Sequence, residues 1–528
     1  VDESYAVGGV AGIATDRQRF EVIASTERGE DRDTPYGTLN GTGHARDVYG
    51  LGYGLRLTAN TEVTADFRRQ EGGETGNPPF PMDIRYMDTS TSRLGLTTQV
   101  EAWSLSVRAE HARVDHAMNN FDQRPAPAPM RWRETLASSE TVTFGFDAER
   151  ALRDGVLRLG LDRADIRHDT TITNPMNADF FVTPFPDVEL ARTGAYAEWE
   201  GPLSAYELYA GVRLDAHDAD AGEPSLGAAL PMGPRMLAAA FSAADRSWDD
   251  VTVDGLLRLA RPVTETLTLR GALARKSRVA GQVERYGWLP ITASGGLADG
   301  NTYVGTLDLN PEVATSLEAG FDYASDRAYL RPTVYVAWVE DYIQGVPADP
   351  NTPGVADTPL EMVSAMNGDP TPLRFSNVDA RLYGIDADFG LVLTPSWRLD
   401  GVLTYVRGER DDVDDDLYRI TPASLRLSAT YEQAVWSATV ETLMVAEQDK
   451  VSAENSELET PGHVVLNAYG RWAVNDRVSL SAGVENILDQ PYRDHLAGYN
   501  RNSGLGVPVG ERLPGAGAGV WLRLNTRF

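Results

Sequence analysis

Hydrophobic and polar residues alternate one by one along much of this chain. From Trp103 to Ala109 every odd-numbered residue is apolar, and the residues between them are polar. The same period of two recurs in the segments 386–391 and 518–528. This period predicts β-strands with one apolar and one polar face, whereas amphipathic helices repeat every 3.6 residues or so. The pattern therefore predicts an all-β fold.

The connections between the predicted strands alternate in length. One set is short, as at 15–18 and 474–477, and the other is long and rich in glycine, proline and aspartate, as at 217–249 and 342–372. Outer-membrane β-barrels have short periplasmic turns and long external loops. Strands can span a bilayer only in a closed sheet, which satisfies every backbone hydrogen bond. We therefore predict a transmembrane antiparallel β-barrel; a soluble array such as a propeller is the alternative.

The strand count indicates the size of this barrel. The pattern contains about 21 strands, whereas single-chain barrels of this class have even numbers. Counting back from the C-terminus, the strand at 5–15 runs from the outside to the periplasm, so an upward strand should precede it. We therefore expect a barrel of the 22-stranded type, a size with a plugged lumen. Residues 1–528 would all be barrel domain, with the first strand and an N-terminal plug domain upstream.

Composition excludes several other classes. The chain has 48 basic and 77 acidic side chains, a formal charge of −29, which argues against binding nucleic acid. It has no cysteine, so disulfides and thiolate metal sites within the chain are excluded. No nucleophile elbow, P-loop or zinc-protease motif occurs, and we expect no enzyme.

Three segments resemble a known family, the TonB-dependent outer-membrane receptors. They are Gly483-Val-Glu-Asn-Ile-Leu-Asp-Gln-Pro-Tyr492, the block from Leu309 to Tyr323, and the terminal Phe528 on an alternating strand. The resemblance implies a location in the outer membrane of a Gram-negative bacterium, in contact with its lipid and lipopolysaccharide. It also implies a plug domain through which the TonB–ExbB–ExbD complex energises transport.

The segment Val114–Phe121, followed by Met130-Arg131, resembles the copper-receptor subgroup of that family. In that subgroup a His-x-Met pair on the barrel wall binds copper together with a cysteine and a methionine of the plug. The resemblance implies that His116 and Met118 are the wall ligands of an imported copper ion, Cu(I) by preference. The cysteine half of the site cannot come from this chain.

Strand geometry supports the same pair independently. Residues two apart share a face of a strand. If the odd residues from Trp103 to Ala109 face outward, His116 and Met118 face the lumen with Arg108 and Glu110, provided that no bulge intervenes. An imidazole and a thioether are soft ligands that suit Cu(I). 

Methionine placement adds a second clue. Nine of the ten methionines fall in predicted loops or at strand tops, where they could capture Cu(I) or simply pack the loops as flexible gap-fillers: Met82, Met87, Met118, Met130, Met176, Met232, Met236, Met362 and Met366.

Two other functions remain open from the sequence. A receptor for an organic metal chelate, such as a siderophore, would line its ligand with Tyr286 and Trp288 of loop 276–313 and with Tyr492 and Tyr499 of loop 489–515. A plugless pore or structural barrel is the second alternative. Four other histidines occur singly and are expected to be solvated, namely His44, His217, His463 and His495.

Overall fold

The computed structural model describes residues 3–291, 299–504 and 506–528. One sheet of 22 strands dominates it, in which 21 antiparallel strands follow one another in chain order and the two-residue β15 adds a short parallel pairing to β18. The predicted all-β fold and the count of about 21 long strands are confirmed. The strands of the sheet and of the small separate hairpin β3–β4 are β1 (Tyr5–Ala14), β2 (Gln18–Gly29), β3 (Arg32–Thr34), β4 (Gly37–Leu39), β5 (His44–Thr58), β6 (Thr61–Gly72), β7 (Asp83–Val100), β8 (Trp103–Asn119), β9 (Glu134–Leu152), β10 (Gly155–Asn174), β11 (Asn177–Leu203), β12 (Tyr206–Asp220), β13 (Trp248–Thr264), β14 (Leu267–Arg278), β15 (Tyr303–Val304), β16 (Glu312–Ala324), β17 (Ala328–Pro347), β18 (Leu373–Thr394), β19 (Trp397–Arg410), β20 (Ser424–Glu432), β21 (Trp436–Val445), β22 (His463–Asn475), β23 (Val478–Glu485) and β24 (Gly519–Thr526).

The two faces of the sheet differ as the alternation predicts. On the outer face, apolar side chains such as Leu94, Val107 and Phe144 are exposed, as expected for residues that contact lipid. On the inner face, charged side chains pair across strands; Arg108, for example, donates a 2.6 Å hydrogen bond to the carboxylate of Asp147. A lumen wall of this kind can remain hydrated.

The connections at the two ends of the barrel also differ. At the periplasmic end the strands are joined by tight turns, in which Glu101, Arg153 and Ser204 adopt positive φ angles of 53°, 59° and 60°. At the opposite end the long loops contain secondary structure that the sequence pattern did not indicate, namely α1 (Met232–Ala243), α2 (Gln282–Tyr286), α3 (Pro359–Met366) and a 3₁₀ turn at Pro129–Arg131. Within the described residues no helix is long and apolar enough to cross a membrane.

The main apolar core lies in the external loops rather than within the barrel. α1, α3 and the segment after α2 bury side chains such as Phe241, Val363 and Trp288 against the projecting ends of β10 and β11. The wet lumen cannot supply such a core, so the loops stabilise one another. They form a packed cap on the external side.

Several aromatic rings pack flat against a glycine of the neighbouring strand. Each ring lies against the glycine directly opposite it, where a Cβ atom would overlap the ring. These pairs are Tyr196 on Gly160, Tyr329 on Gly390, Phe389 on Gly401 and Trp521 on Gly483.

Candidate functional site

His116 and Met118 lie at the end of β8 that meets the external loops, and both face the barrel interior. β8 pairs with β9 in one continuous register from Trp103 to Asn119, so no bulge in β8 exchanges its faces. Residues two apart therefore keep to one side along the whole strand. The sequence-based orientation of this pair, on the lumen side with Arg108, agrees with the structure.

A second methionine lies directly opposite His116. In the β7–β8 ladder His116 pairs with Met87, and opposed residues of antiparallel strands have Cβ atoms about 5 Å apart on the same face. The Nε2 atom of His116 is buried and makes no hydrogen bond within the described part of the chain. An unpaired buried nitrogen costs free energy. A bound metal ion would give this nitrogen a partner.

Met118 lies close to a third thioether, that of Met82. Met118 pairs with Thr135 in the β8–β9 ladder, and the Thr135 hydroxyl donates a 3.2 Å hydrogen bond to Sδ of Met82. Met82 and Met118 both line a cavity of about 420 Å³ beneath the external loops. This part of the wall thus presents one imidazole and three thioethers, a donor set that suits a soft ion such as Cu(I).

A buried ion pair holds the loop that carries Met82. Nε and Nη2 of Arg124 donate hydrogen bonds of 2.6 and 2.5 Å to the carboxylate of Asp83. The two side chains are only 6% and 2% exposed. Arg124 also donates to the carbonyls of Asn77 and Phe80. These bonds join the loop between β6 and β7 to the loop between β8 and β9, and thereby position Met82.

The aromatic residues that an organic chelate would contact are largely occupied within the cap. Tyr286 is fully buried, and Trp288 is 7% exposed, with its Nε1 donating to the carbonyl of Thr183. Tyr499 is buried and accepts a hydrogen bond from Arg512. Residues 292–298 of the same long loop lie outside the described residues.

His463 and His495 are buried, so the expectation that they are solvated is wrong. The ring of His463 stacks on Tyr492 with centroids 4.7 Å apart. His495 is hydrogen-bonded through Nε2 to Glu457 (3.0 Å) and through Nδ1 to the Thr460 hydroxyl (2.5 Å). The long loops bring these distant residues together, which a single sequence cannot reveal. These contacts join two external loops. Neither histidine belongs to the group formed by His116, Met87, Met118 and Met82.

A group of carboxylates elsewhere has a different character. Oxygens of Asp349, Asp357 and Glu361 lie within 4.8 Å of one another. All three carboxylates accept hydrogen bonds: Asp349 and Asp357 from the Thr352 hydroxyl, and Glu361 from the Thr358 hydroxyl. These bonds organise the loop before α3. Oxygen ligands suit hard cations rather than copper(I).

Sequence reasoning missed the grouping of Met82 and Met87 around the predicted pair. The sequence indicates both only as members of a dispersed set of loop methionines. The signal that relates Met87 to His116 is the strand pairing, and the extra residue at Arg85 in β7 shifts the pairing just beyond it. Such a shift cannot be read from hydrophobic alternation.

Comparisons with known proteins identify the family but leave the ligand open. The family model "TonB dependent receptor-like, beta-barrel" matches residues 18–487. The copper transporter OprC superposes with a TM-score of 0.83 at 20% identity over 100% of this chain and 80% of that chain. A mutant of the ferric enterobactin receptor PfeA from Pseudomonas aeruginosa gives 0.71 at 15% identity over 99% and 78%, respectively. The siderophore receptor PirA from Acinetobacter baumannii gives 0.70 at 13% identity over 100% and 78%.

A search of curated proteins gives no match. At these identities the structural likeness shows the fold alone. The family match extends over most of the chain, however, and covers the strand that carries His116 and Met118. It is a family of Gram-negative outer-membrane receptors, not of enzymes, and its members work with the TonB energising complex. The chain belongs to the TonB-dependent receptor β-barrel family.

Proposed function

We propose that this chain is the barrel of an outer-membrane transporter that imports copper, captured as Cu(I) on the external side of the lumen by His116 and Met118. The observation that carries the proposal is the soft-donor wall, formed by His116, Met87, Met118 and Met82. In it the buried Nε2 of His116 makes no hydrogen bond with the described residues, and His116 lies opposite Met87. The name of OprC as a copper transporter supports the same cargo.

The chemistry of the donors favours this cargo over other metals. Thioethers are neutral, polarisable ligands that bind Cu(I) far better than Mg²⁺ or Ca²⁺. The chain's net charge of −29 would also attract cations towards the receptor and repel anionic complexes. The packed aromatic residues of the cap, Tyr286 and Trp288, leave fewer rings available to an organic chelate.

The barrel positions ligands and does no covalent chemistry. In this proposal residues 1–528 are the barrel domain, which works together with a plug domain. The plug supplies the other half of the copper site. Movement of the plug, driven by the TonB–ExbB–ExbD complex, separates the two halves and releases the metal inward.

The experiment that tests the proposal is the copper content of receptor purified from copper-exposed outer membranes. The double variant His116→Ala/Met118→Ala is compared with wild type and with Met444→Leu, a control whose methionine lies on β21 opposite Val464 on the lipid-exposed face. We expect about one copper per receptor in wild type and in the control, and none in the double variant. Intact mass on the same samples reports whether a plug is present, and heat-modifiable gel mobility reports a folded barrel.

A siderophore receptor is the second candidate, because two of the similar structures carry such ligands in their names. Copper that is absent from wild type, or retained by a folded double variant, would overturn the assignment to His116 and Met118. Growth on a ferric chelate as sole iron source, dependent on this receptor, would then favour the second candidate.

A further inference from the structure

The cavity beside Met118 has an unusual charge for this protein. It measures about 420 Å³ and is lined by residues of β8 to β11, α3 and the loops above them. Among the described residues that line it, Arg133 is the single charged side chain, and no carboxylate is present. Acidic residues outnumber basic ones by 77 to 48 in the whole chain. The described lining of this cavity, with one positive and no negative side chain, is therefore contrary to the general composition.

Some N–H groups of Arg133 have no hydrogen-bond acceptor among the described residues. Its guanidinium carbon lies 3.8 Å from the ring centroid of Phe180, and its Nη1 donates to the carbonyls of Met130 and Trp132. Within the described residues its Nε and Nη2 make no hydrogen bond. The carboxylate of the next residue, Glu134, forms an ion pair with Arg85, in which Nη1 of Arg85 lies 2.6 Å from Oε1 of Glu134.

The pKa of Arg133 is consistent with the lack of a carboxylate partner among the described residues. Burial, and secondarily the neighbouring charge of Arg131, lower the pKa of Arg133. A guanidinium nevertheless remains protonated at neutral pH. Among the described residues this charge meets two carbonyls and the Phe180 ring. An anion beside it would lower the cost of holding the charge in partly apolar surroundings.

The rest of the wall indicates the body of the ligand. Phe80, Phe185, Leu230 and Val363 present apolar surface, and Met366 adds a thioether at the rim. Small-molecule sites are typically concave and mainly apolar, with a few polar groups that orient the ligand, and have volumes of about 300–1,000 Å³. This cavity meets each criterion.

We propose that the cavity binds a small organic anion with a mostly apolar body, its anionic group on Arg133 and its body against Phe180 and the aliphatic wall. Such an anion lies beside Met118 and offsets the charge of a Cu(I) ion held there. Only this second consequence rests on the proposed function. Binding of the anion itself requires no copper.

The test is calorimetric titration of the full receptor, purified from outer membranes and free of copper, with 2-naphthoate as the probe. We expect saturable binding that weakens at least about tenfold in Arg133→Gln, equivalent to about 1.4 kcal/mol, and less in Arg133→Lys. The matched control is Arg261→Gln, since Arg261 also stacks on a ring, that of Tyr206 at 5.5 Å, close to a periplasmic turn. The neutral 2-naphthamide should bind wild type no better than it binds Arg133→Gln.

Absence of naphthoate binding to wild type would overturn the inference, as would equal binding to folded Arg133→Gln. Equal affinity for the acid and the amide would do the same, because it would show that the charge plays no part. The copper content of each variant is measured in parallel. The anion site and the copper site can thereby fail separately.

Discussion

Met87 and His116 face each other across the β7–β8 ladder on the inner wall of the barrel. If the wall binds Cu(I), the Met87 thioether is a candidate for a further ligand, because opposed residues have Cβ atoms about 5 Å apart. Met87→Leu keeps a similar volume but removes the sulfur. We expect the Cu(I) affinity to fall by at least about tenfold, or 1.4 kcal/mol, in competition with a chromophoric Cu(I) chelator. Unchanged affinity, with Met444→Leu as the reference, would exclude Met87 as a ligand.

The ion pair of Arg124 and Asp83 should control the order of the loop that carries Met82. Breaking a buried ion pair typically costs about 3–5 kcal/mol, because the remaining charge is left unpaired. We therefore expect Arg124→Gln to increase hydrogen exchange in residues 77–83. The pair of Arg85 and Glu134 offers the control, since it is less buried, with side chains 52% and 17% exposed. Arg85→Gln should change local stability by less than about 1 kcal/mol. Equal effects of the two variants would contradict the role of the Arg124–Asp83 ion pair in ordering this loop.

The capping box of α3 should make this helix sensitive to acid. The Thr358 hydroxyl donates a 2.8 Å hydrogen bond to the Glu361 carboxylate, and this bond lowers the pKa of Glu361. A carboxyl group whose pKa is lower in the folded state stabilises the fold above its unfolded pKa, and this contribution is lost as the pH falls through the folded value.

Amide protection in residues 357–367 should accordingly decrease below about pH 4, when intrinsic exchange rates are taken into account. The measurement is hydrogen exchange followed by mass spectrometry between pH 6 and pH 3. Thr358→Ala should show low protection over the whole range and little response to pH. A wild-type helix that responds no more than this variant would refute the prediction.

His495 should hold two external loops together. His495→Leu removes the hydrogen bonds to Glu457 and Thr460 and leaves a buried carboxylate with fewer donors. Loss of such a partner typically costs about 1–3 kcal/mol. Faster exchange in residues 452–460 is the expected result. His111→Leu serves as the comparison, because His111 pairs with Glu140 at an exposed position, and the prediction fails if both variants behave alike.

The sequence predicted the barrel well because the bilayer imposes a simple rule on each strand. The alternation of apolar and polar residues predicted where the strands lie and that His116 faces the lumen. The unequal lengths of the connections predicted which end of the barrel is periplasmic and which is external. Pairings within the cap follow no such rule. Helices α1 and α3 share a core that includes Phe241 and Val363, and Val363 lies beside Gly233 of α1. This packing depends on the course of three long loops.

The candidate site was predicted only in part for the same reason. His116 and Met118 share one strand, so their spacing is visible in the chain. Met87 reaches them through strand pairing, and Met82 through a hydrogen bond from Thr135. Arg133 was not singled out at all, since an isolated arginine in an acidic protein carries no pattern. Its significance comes from the residues that surround it in space.

The glycines beneath the aromatic rings also restrict how the strands can pair while the barrel assembles. If β24 slipped by two residues against β23, Trp521 would meet Ser481 or Glu485 instead of Gly483. Both have a Cβ atom where the ring must lie. A two-residue shift keeps every side chain on its proper face, so hydrophobicity alone would tolerate it. The glycines therefore disfavour two-residue shifts in strand pairing by steric overlap during assembly. The hydrophobic pattern alone would not exclude these shifts.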